Sequence, residues 1–265
     1  NMNTDTNKGI TTAITYKHLN LPNKITLPNG IIEYLYNAAG VKVQKKLISG
    51  SIIVTTDYQN GYQYKNGELQ FFPHAEGYVN VVEGNYFNYV YNYTDHLGNI
   101  RVSYGLEPGT NVLKILEENH YYPFGLKHKN YNMDIRTYDR NNLGQIILPL
   151  VGDMSYKYKF QGQELQDELG LNWYSFKWRN YDPAIARFFN IDPLSEKYAY
   201  QSHYNFSENR VIDGVELEGL EVVLVNKEKD PLIHNVGNSN KDKSAIHVYA
   251  HGSQRSIVDN RESED

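Results

Sequence analysis

Two groupings in this sequence have residue types and spacing that could do chemistry. The denser comprises Arg179, Asp182, Arg187 and Asp192, with each aspartate standing before a proline, as Asp182-Pro183 and Asp192-Pro193. Proline fixes its own φ and pushes the preceding residue out of the helical region, so each Asp-Pro pair sets a turn. On residue types alone, the simplest reading is two Asp-capped turns tied by arginine salt bridges. The second grouping is His247 and His251, whose spacing on a helix would suit a metal pair. Ile246, Val248 and Ala250 instead alternate as in a strand, which puts His247, Tyr249 and His251 on one face. Two histidines without a third ligand or a carboxylate in register are weak grounds for zinc, and we assign no metal and no cofactor. The chain has no cysteine, which excludes disulfides, thiolate zinc sites and cysteine nucleophiles.

The composition bounds what can position these residues. A chain of 265 residues can bury a real core as one large or two ordinary domains. Its hydrophobic content is 40%, and 24 tyrosines stand in for missing aliphatic residues. Tyrosine suits half-buried strands, where the ring packs and the hydroxyl reaches water. A net charge of −5 lacks the basic stripe that displaces counterions from phosphates, so nucleic-acid binding is disfavoured. No run of 18 apolar residues spans a membrane, and the N-terminal residues carry no secretory signal. Opening on Asn1, the sequence reads as a fragment whose export signal would lie upstream.

From Ile14 to Tyr104, apolar and polar residues alternate between turn glycines at Gly30, Gly40, Gly50, Gly61, Gly67, Gly77, Gly84, Gly98 and Gly105. That interval suits strands joined by short loops, an antiparallel meander. Ile32, Tyr34 and Tyr36 should share one face, and Ile100, Val102 and Tyr104 likewise. A unit recurs loosely as Tyr36-Asn-Ala-Ala-Gly40, Asp57-Tyr-Gln-Asn-Gly61 and Tyr64-Lys-Asn-Gly67, with a longer version at Tyr93-Thr-Asp-His-Leu-Gly-Asn99. Asn or Asp bonds its own backbone to start the turn, and glycine takes the positive φ that closes it.

Further on, Met133 to Val151 is irregular, with a turn expected at Asn141-Asn-Leu-Gly144 and an edge strand at Gln145-Ile-Ile-Leu-Pro149. Tyr156 to Phe160 alternates again, and Gln161 to Gly170 reads as a polar, tight connection into an aromatic strand. A short turn of helix is expected after Asp192-Pro193, capped by Ser195 and Glu196. After Leu220 the character changes. Glu221 to Val225 is a short apolar strand, the following residues are charged and Asn-rich, and Ser244 to Gly252 is another strand running into a turn.

These motifs together resemble the rearrangement-hotspot (Rhs) family. Tyr-Asn-x-x-Gly before a β-branched strand is similar to that family's Tyr-Asp repeat, and Asp95-His-Leu-Gly-Asn-Ile-Arg101 resembles the segment opening its repeat-associated core. Tyr121-Tyr-Pro-Phe-Gly125 matches the turn that follows. The core's hallmark, Arg-x-x-Asp-Pro-x-x-Gly-Arg-Phe-x-x-x-Asp-Pro, stands here from Arg179 through Arg187-Phe188 to Asp192-Pro193, with Ala186 replacing glycine. The similarity runs from about Ile14 to Leu220.

The resemblance implies an intramolecular aspartyl protease that cuts its own chain after a downstream Asp-Pro-x-Gly-Leu and frees a variable C-terminal toxin inside a β-sheet shell. The residues carried over are Arg179, Asp192 and the acid of the downstream motif, which here is Glu216-Leu-Glu-Gly-Leu220. Glu216 thus stands for Asp and Leu217 for Pro, and Asp213 is an alternative second acid. The implied cut lies between Leu220 and Glu221. Paired-carboxylate hydrolysis needs two acids close enough to share a proton, one serving as base toward water and the other as acid toward the carbonyl.

The expected fold is therefore all-β: an antiparallel hairpin repeat array, part of an Rhs-type shell, with a short C-terminal extension. Residues 1–90 would be repeat strands, 91–220 the core domain, and 221–265 a variable extension, an incomplete toxin domain. The implied partners are upstream repeats of the same protein, the C-terminal segment and an immunity protein, and the implied location is secreted or cell-surface. The competing class is a non-enzymatic surface module in which the Asp-Pro motif only staples the fold. There Trp173, Trp178 and exposed tyrosines would stack on glycans, although such rings more often fill the inner face of a sheet.

Overall fold

The computed structural model describes residues 1–82, 86–106, 112–129 and 156–225, with short strands at Asp139–Arg140, Ile146–Ile147, Ile233–Asn235, Tyr249–Ala250 and Ser253–Gln254. An 11-stranded antiparallel sheet runs in chain order from Thr15–Tyr16 to Leu113–Glu118, each strand paired with its sequence neighbours. Its turns are made as the sequence requires. Asn37 Oδ1 accepts from the Ala39 and Val41 amides at 3.0 Å, and Gly40 closes the turn at φ +77°. Asp95 repeats the device on the Leu97 and Asn99 amides, with Gly98 at φ +79°.

One face of this sheet is buried. Ile32 and Tyr34 point inward, and Leu35, next along the strand, is 54% exposed. The expectation for Ile100, Val102 and Tyr104 fails, because the register shifts between Ile100 and Val102. A bulge advances the strand by one residue and reverses which side chains face the core. Ser103 is consequently buried beside Ile100 and bonds Asn92 Oδ1 at 2.9 Å.

Against the buried face packs a five-stranded antiparallel sheet of Tyr158–Phe160, Gln163–Gln166, Trp173–Ser175, Asn180–Asp182 and Arg187–Phe188. Ile10, Ile25, Leu27 and Ile32 meet Leu171, Trp173 and Phe189 in one cluster. A second cluster joins Phe160, Tyr174, Phe176, Tyr181, Phe188 and Phe206. The Gln161 to Gly170 segment is not the tight polar loop expected. Its Gln163–Gln166 stretch is a strand, and the one acid of that strand, Glu164, points into the interface between the sheets. Glu164 is fully buried there and receives Lys42 Nζ at 2.7 Å, Lys45 Nζ at 3.2 Å and the Tyr58 hydroxyl at 2.7 Å. These donors hold the Glu164 carboxyl down at about 2, although burial opposes them.

The Tyr121 to Gly125 turn feeds the same core. Gly125 sits at φ +82°, where an added Cβ would lie 2.6 Å from the Phe160 ring, and the Tyr174 and Tyr181 hydroxyls donate to the Gly125 and Phe124 carbonyls. A third sheet begins with the hairpin Gly214–Leu217 and Glu221–Val225. The composition change after Leu220 therefore falls inside a hairpin. Ile146–Ile147 forms a strand pair with Asp139–Arg140, while the expected Asn141 to Gly144 turn lies outside the described residues, as do His247 and His251. Among the described residues no helix is long and apolar enough to cross a membrane.

Candidate active site

The site is built around Arg179, which enters the Asn180–Asp182 strand from a tight turn closed by the Phe176 amide on the Arg179 carbonyl at 3.0 Å. Its guanidinium is 2% exposed and lies 3.8 Å over the Phe188 ring. The planar fork is used on every side. Nη1 meets Asp192 Oδ2 at 2.9 Å and the His203 carbonyl at 3.1 Å, Nη2 meets Glu216 Oε1 at 3.4 Å, and Nε donates to the Gly219 carbonyl. One cation thus ties together three segments that are distant in sequence.

Asp192 is held by the turn it starts. Its Oδ1 accepts the Leu194 amide at 2.8 Å, leaving Oδ2 for Arg179. The expected helix capped by Ser195 and Glu196 does not form. A run of turns takes its place, opened by Asp192 itself and carrying a single helix-type bond, the Tyr198 amide to the Leu194 carbonyl at 3.2 Å. Burial raises the Asp192 carboxyl above its ordinary range against the pull of Arg179.

Glu216 lies in the Gly214–Leu217 strand and is 4% exposed. Its Oε2 accepts the Ser207 amide at 2.7 Å, and its own amide donates to Gln161 Oε1 at 3.1 Å. Burial pushes its carboxyl up to about 8, outweighing Arg179, and the nearby Asp192 charge adds to the rise. Two acids on one guanidinium, both displaced upward, are arranged so that a proton can be held at neutral pH.

Asp192, Glu216 and Arg179 line a small recess together with Tyr198, Ser207, Leu220 and Glu221. It leaves about 10 Å³ for water, at the threshold for holding one molecule. Leu220 closes the hairpin loop, its amide donating to the Leu217 carbonyl at 3.0 Å, with Glu218 and Gly219 at φ +55° and +81°. The Glu221 carboxylate turns aside to Lys197 Nζ at 2.9 Å and to the Tyr198 hydroxyl.

Asp213 is not brought to the recess. It pairs with Arg210 at the surface, which holds its carboxyl below the usual range. The first Asp-Pro is a fold staple. Asp182 is 1% exposed, accepts Trp173 Nε1 at 3.0 Å and the Ala184 amide at 2.9 Å, and pairs with Lys8 at 3.2 Å. Arg187 does not tie the turns together; it is exposed and reaches the Ala186 carbonyl at 3.1 Å. Trp173 is 1% exposed and cannot be a sugar platform, whereas Trp178 is half-buried against Lys177 and Glu218. Ser207 and Tyr198 carried no sequence signal, since only the fold brings them to the acids. Among the described residues no group of three His, Cys, Asp or Glu side chains is arranged to hold a metal ion.

No family model matches the chain. Over 117 residues it is 28% identical to salivary gland surface protein 1 of Aedes aegypti, a match covering 41% of this chain and 3% of that protein. Among solved structures, TcdB2-TccC3-TEV is similar with a TM-score of 0.56 at 16% identity, over 78% of this chain and 10% of that one. TcdB2-TccC3 without its hypervariable C-terminal region gives 0.54 at 15% identity, over 78% of this chain and 10% of that one. The Photorhabdus luminescens Tc holotoxin pore, carrying an aspartate-to-alanine substitution in TccC3, gives 0.55 at 15% identity over 84% of this chain and 11% of that one. The chain thus spans about a tenth of these structures, and its fold is an antiparallel β-hairpin array of the kind they contain.

Proposed function

We propose that this chain is the C-terminal core of an Rhs-type β-shell that encloses its C-terminal segment and cuts its own backbone between Leu220 and Glu221. The carrying observation is that Asp192 and Glu216 share the Arg179 guanidinium in a recess that Leu220 and Glu221 also line. The domain layout of repeat strands over 1–90, core over 91–220 and extension from 221 belongs to this reading, as does a secreted or cell-surface location. The likeness to the Tc holotoxin pore, and to TcdB2-TccC3 without its hypervariable C-terminal region, supports it.

The chemistry follows from how the two acids differ. Asp192 has the closer contact with Arg179, which favours its ionised form, while the more buried Glu216 keeps its proton near neutral pH. The Asp192 carboxylate takes a proton from water as the water oxygen attacks the Leu220 carbonyl carbon, and Glu216 donates its proton to the carbonyl oxygen. Collapse returns that proton to Glu216, Asp192 protonates the Glu221 nitrogen, and the C–N bond breaks. The products are a Leu220 carboxylic acid and a Glu221 amine. The bond from Arg179 Nε to the Gly219 carbonyl fixes the backbone one residue before the cut.

Mass spectrometry of a purified chain with its native continuation tests this. Wild type should yield two fragments separated after Leu220, and Asp192→Asn should stay intact or slow by at least ~10³-fold. Intact wild type, indistinguishable from Asp192→Asn, refutes self-cleavage. An adhesive, non-enzymatic role is the second reading, favoured by the aromatic outer face of the large sheet, where Tyr62 stacks on Phe72 at 5.1 Å and Tyr89 is 55% exposed. An intact chain that binds glycans would support it.

A further inference from the structure

We infer that Ser207 is a third catalytic group of this recess, its hydroxyl holding the water that attacks Leu220; the inference rests on the self-cleavage reading. Ser207 lines the recess and is 1% exposed, and its enclosed Oγ lies against the Glu216 carboxylate without a partner in full hydrogen-bond geometry among the described residues. Buried hydroxyls are almost always paired, and an unpaired one beside two carboxylates calls for a functional account.

The backbone supplies a second, independent observation. Ser207, Glu208 and Asn209 lie consecutively in the left-handed region, at φ +45°, +48° and +62°, a conformation that only glycine adopts readily. The segment is pinned on both sides. The Ser207 amide donates to Glu216 Oε2 at 2.7 Å, Phe206 is fully buried, and the Arg210 amide closes on the Ser207 carbonyl at 2.7 Å. A glycine at 207 would keep the amide bond to Glu216 and relieve the strain, so the hydroxyl is the polar group that serine adds to the recess. That hydroxyl has one proton to donate and two lone pairs to accept with. Placed with Asp192 and Glu216, it completes a three-sided polar cradle. Water bound there loses a proton to Asp192 while its oxygen stays oriented by Ser207 toward the Leu220 carbonyl, and Ser207 itself forms no covalent bond.

The experiment compares cleavage rates of the full chain as wild type, Ser207→Ala and Ser207→Gly, with melting temperatures and pH–rate profiles of each. Both variants should cleave ~10- to 100-fold more slowly. Ser207→Gly should melt at or above wild type, which separates a lost hydroxyl from a damaged fold. Both should keep the same number of titrating limbs in the pH profile, with the Glu216 limb moved upward because the amide bond stays and the hydroxyl that lowers the carboxyl is lost. Cleavage by Ser207→Gly within about twofold of wild type overturns this inference and leaves self-cleavage standing. A Ser207→Gly variant that melts lower also overturns it, because the side chain would then be structural. A wild-type chain that never cuts overturns both readings.

Discussion

Replacing Glu216 with glutamine should raise stability at pH 8 rather than lower it. The Glu216 carboxyl moves from its ordinary 4.5 to about 8 on folding, driven first by burial and only partly offset by Arg179. Between those values the folded chain holds a proton that the unfolded chain has released. The contribution is therefore fully present below pH 4.5 and declines as pH rises toward 8, where Glu216 ionises in both states. The slope approaches about 1.4 kcal/mol per pH unit, so the whole window is worth at most about 5 kcal/mol. Asp192, also raised, acts in the same direction. Glu164, held at about 2, loses its contribution only as pH falls below 4.5, and Lys159, pushed down to about 8 by burial, opposes the decline only from about pH 8 upward. Glutamine mimics the protonated acid, so Glu216→Gln should match wild type within about 1 kcal/mol at pH 5 and exceed it by a few kcal/mol at pH 8. Urea unfolding followed by tryptophan fluorescence from pH 5 to 8.5 measures this directly. Wild-type stability that is flat or rising across that range, or a variant whose curve parallels it, would show Glu216 ionised in the fold and remove the proton donor from the proposed mechanism.

Other expectations test the scaffold. Ala186 occupies the left-handed region at φ +57°, so Ala186→Gly should stabilise the chain by about 1 kcal/mol, seen as a higher melting temperature; an unchanged or lower value contradicts the strain argument. Removing the Glu164 charge as Glu164→Leu leaves Lys42 buried without its carboxylate, while Lys45 keeps Glu168 at 2.5 Å, and should cost about 3–5 kcal/mol at pH 7, measured by denaturant unfolding; a loss below 1 kcal/mol would mean that Lys42 reaches solvent.

Much of the meander was legible in the sequence because its turns are local. Asn37 with Gly40 and Asp95 with Gly98 satisfy their own backbone within five residues, so no distant contact is needed to specify them. Residue periodicity likewise assigned Ile32 and Tyr34 to the core face. It failed at Val102, where one extra residue in the ladder reverses the phase of all that follows, and at Gln163–Gln166, where the charged Glu164 is a strand residue because its partners arrive from the other sheet.

At the site the division is the same. The sequence by itself pointed to Arg179 and Asp192, left Glu216 and Asp213 as alternatives for the second acid, and had each Asp-Pro start a turn. Only the tertiary structure decided that Asp182 is bound up with Trp173 and Lys8, that Asp213 faces Arg210 at the surface, and that Glu216 faces Arg179 across 37 residues of chain. Turn chemistry depends on neighbours along the chain. The protonation of Glu216 and the enclosure of Ser207 depend on which surfaces exclude water, and that follows from how distant segments pack.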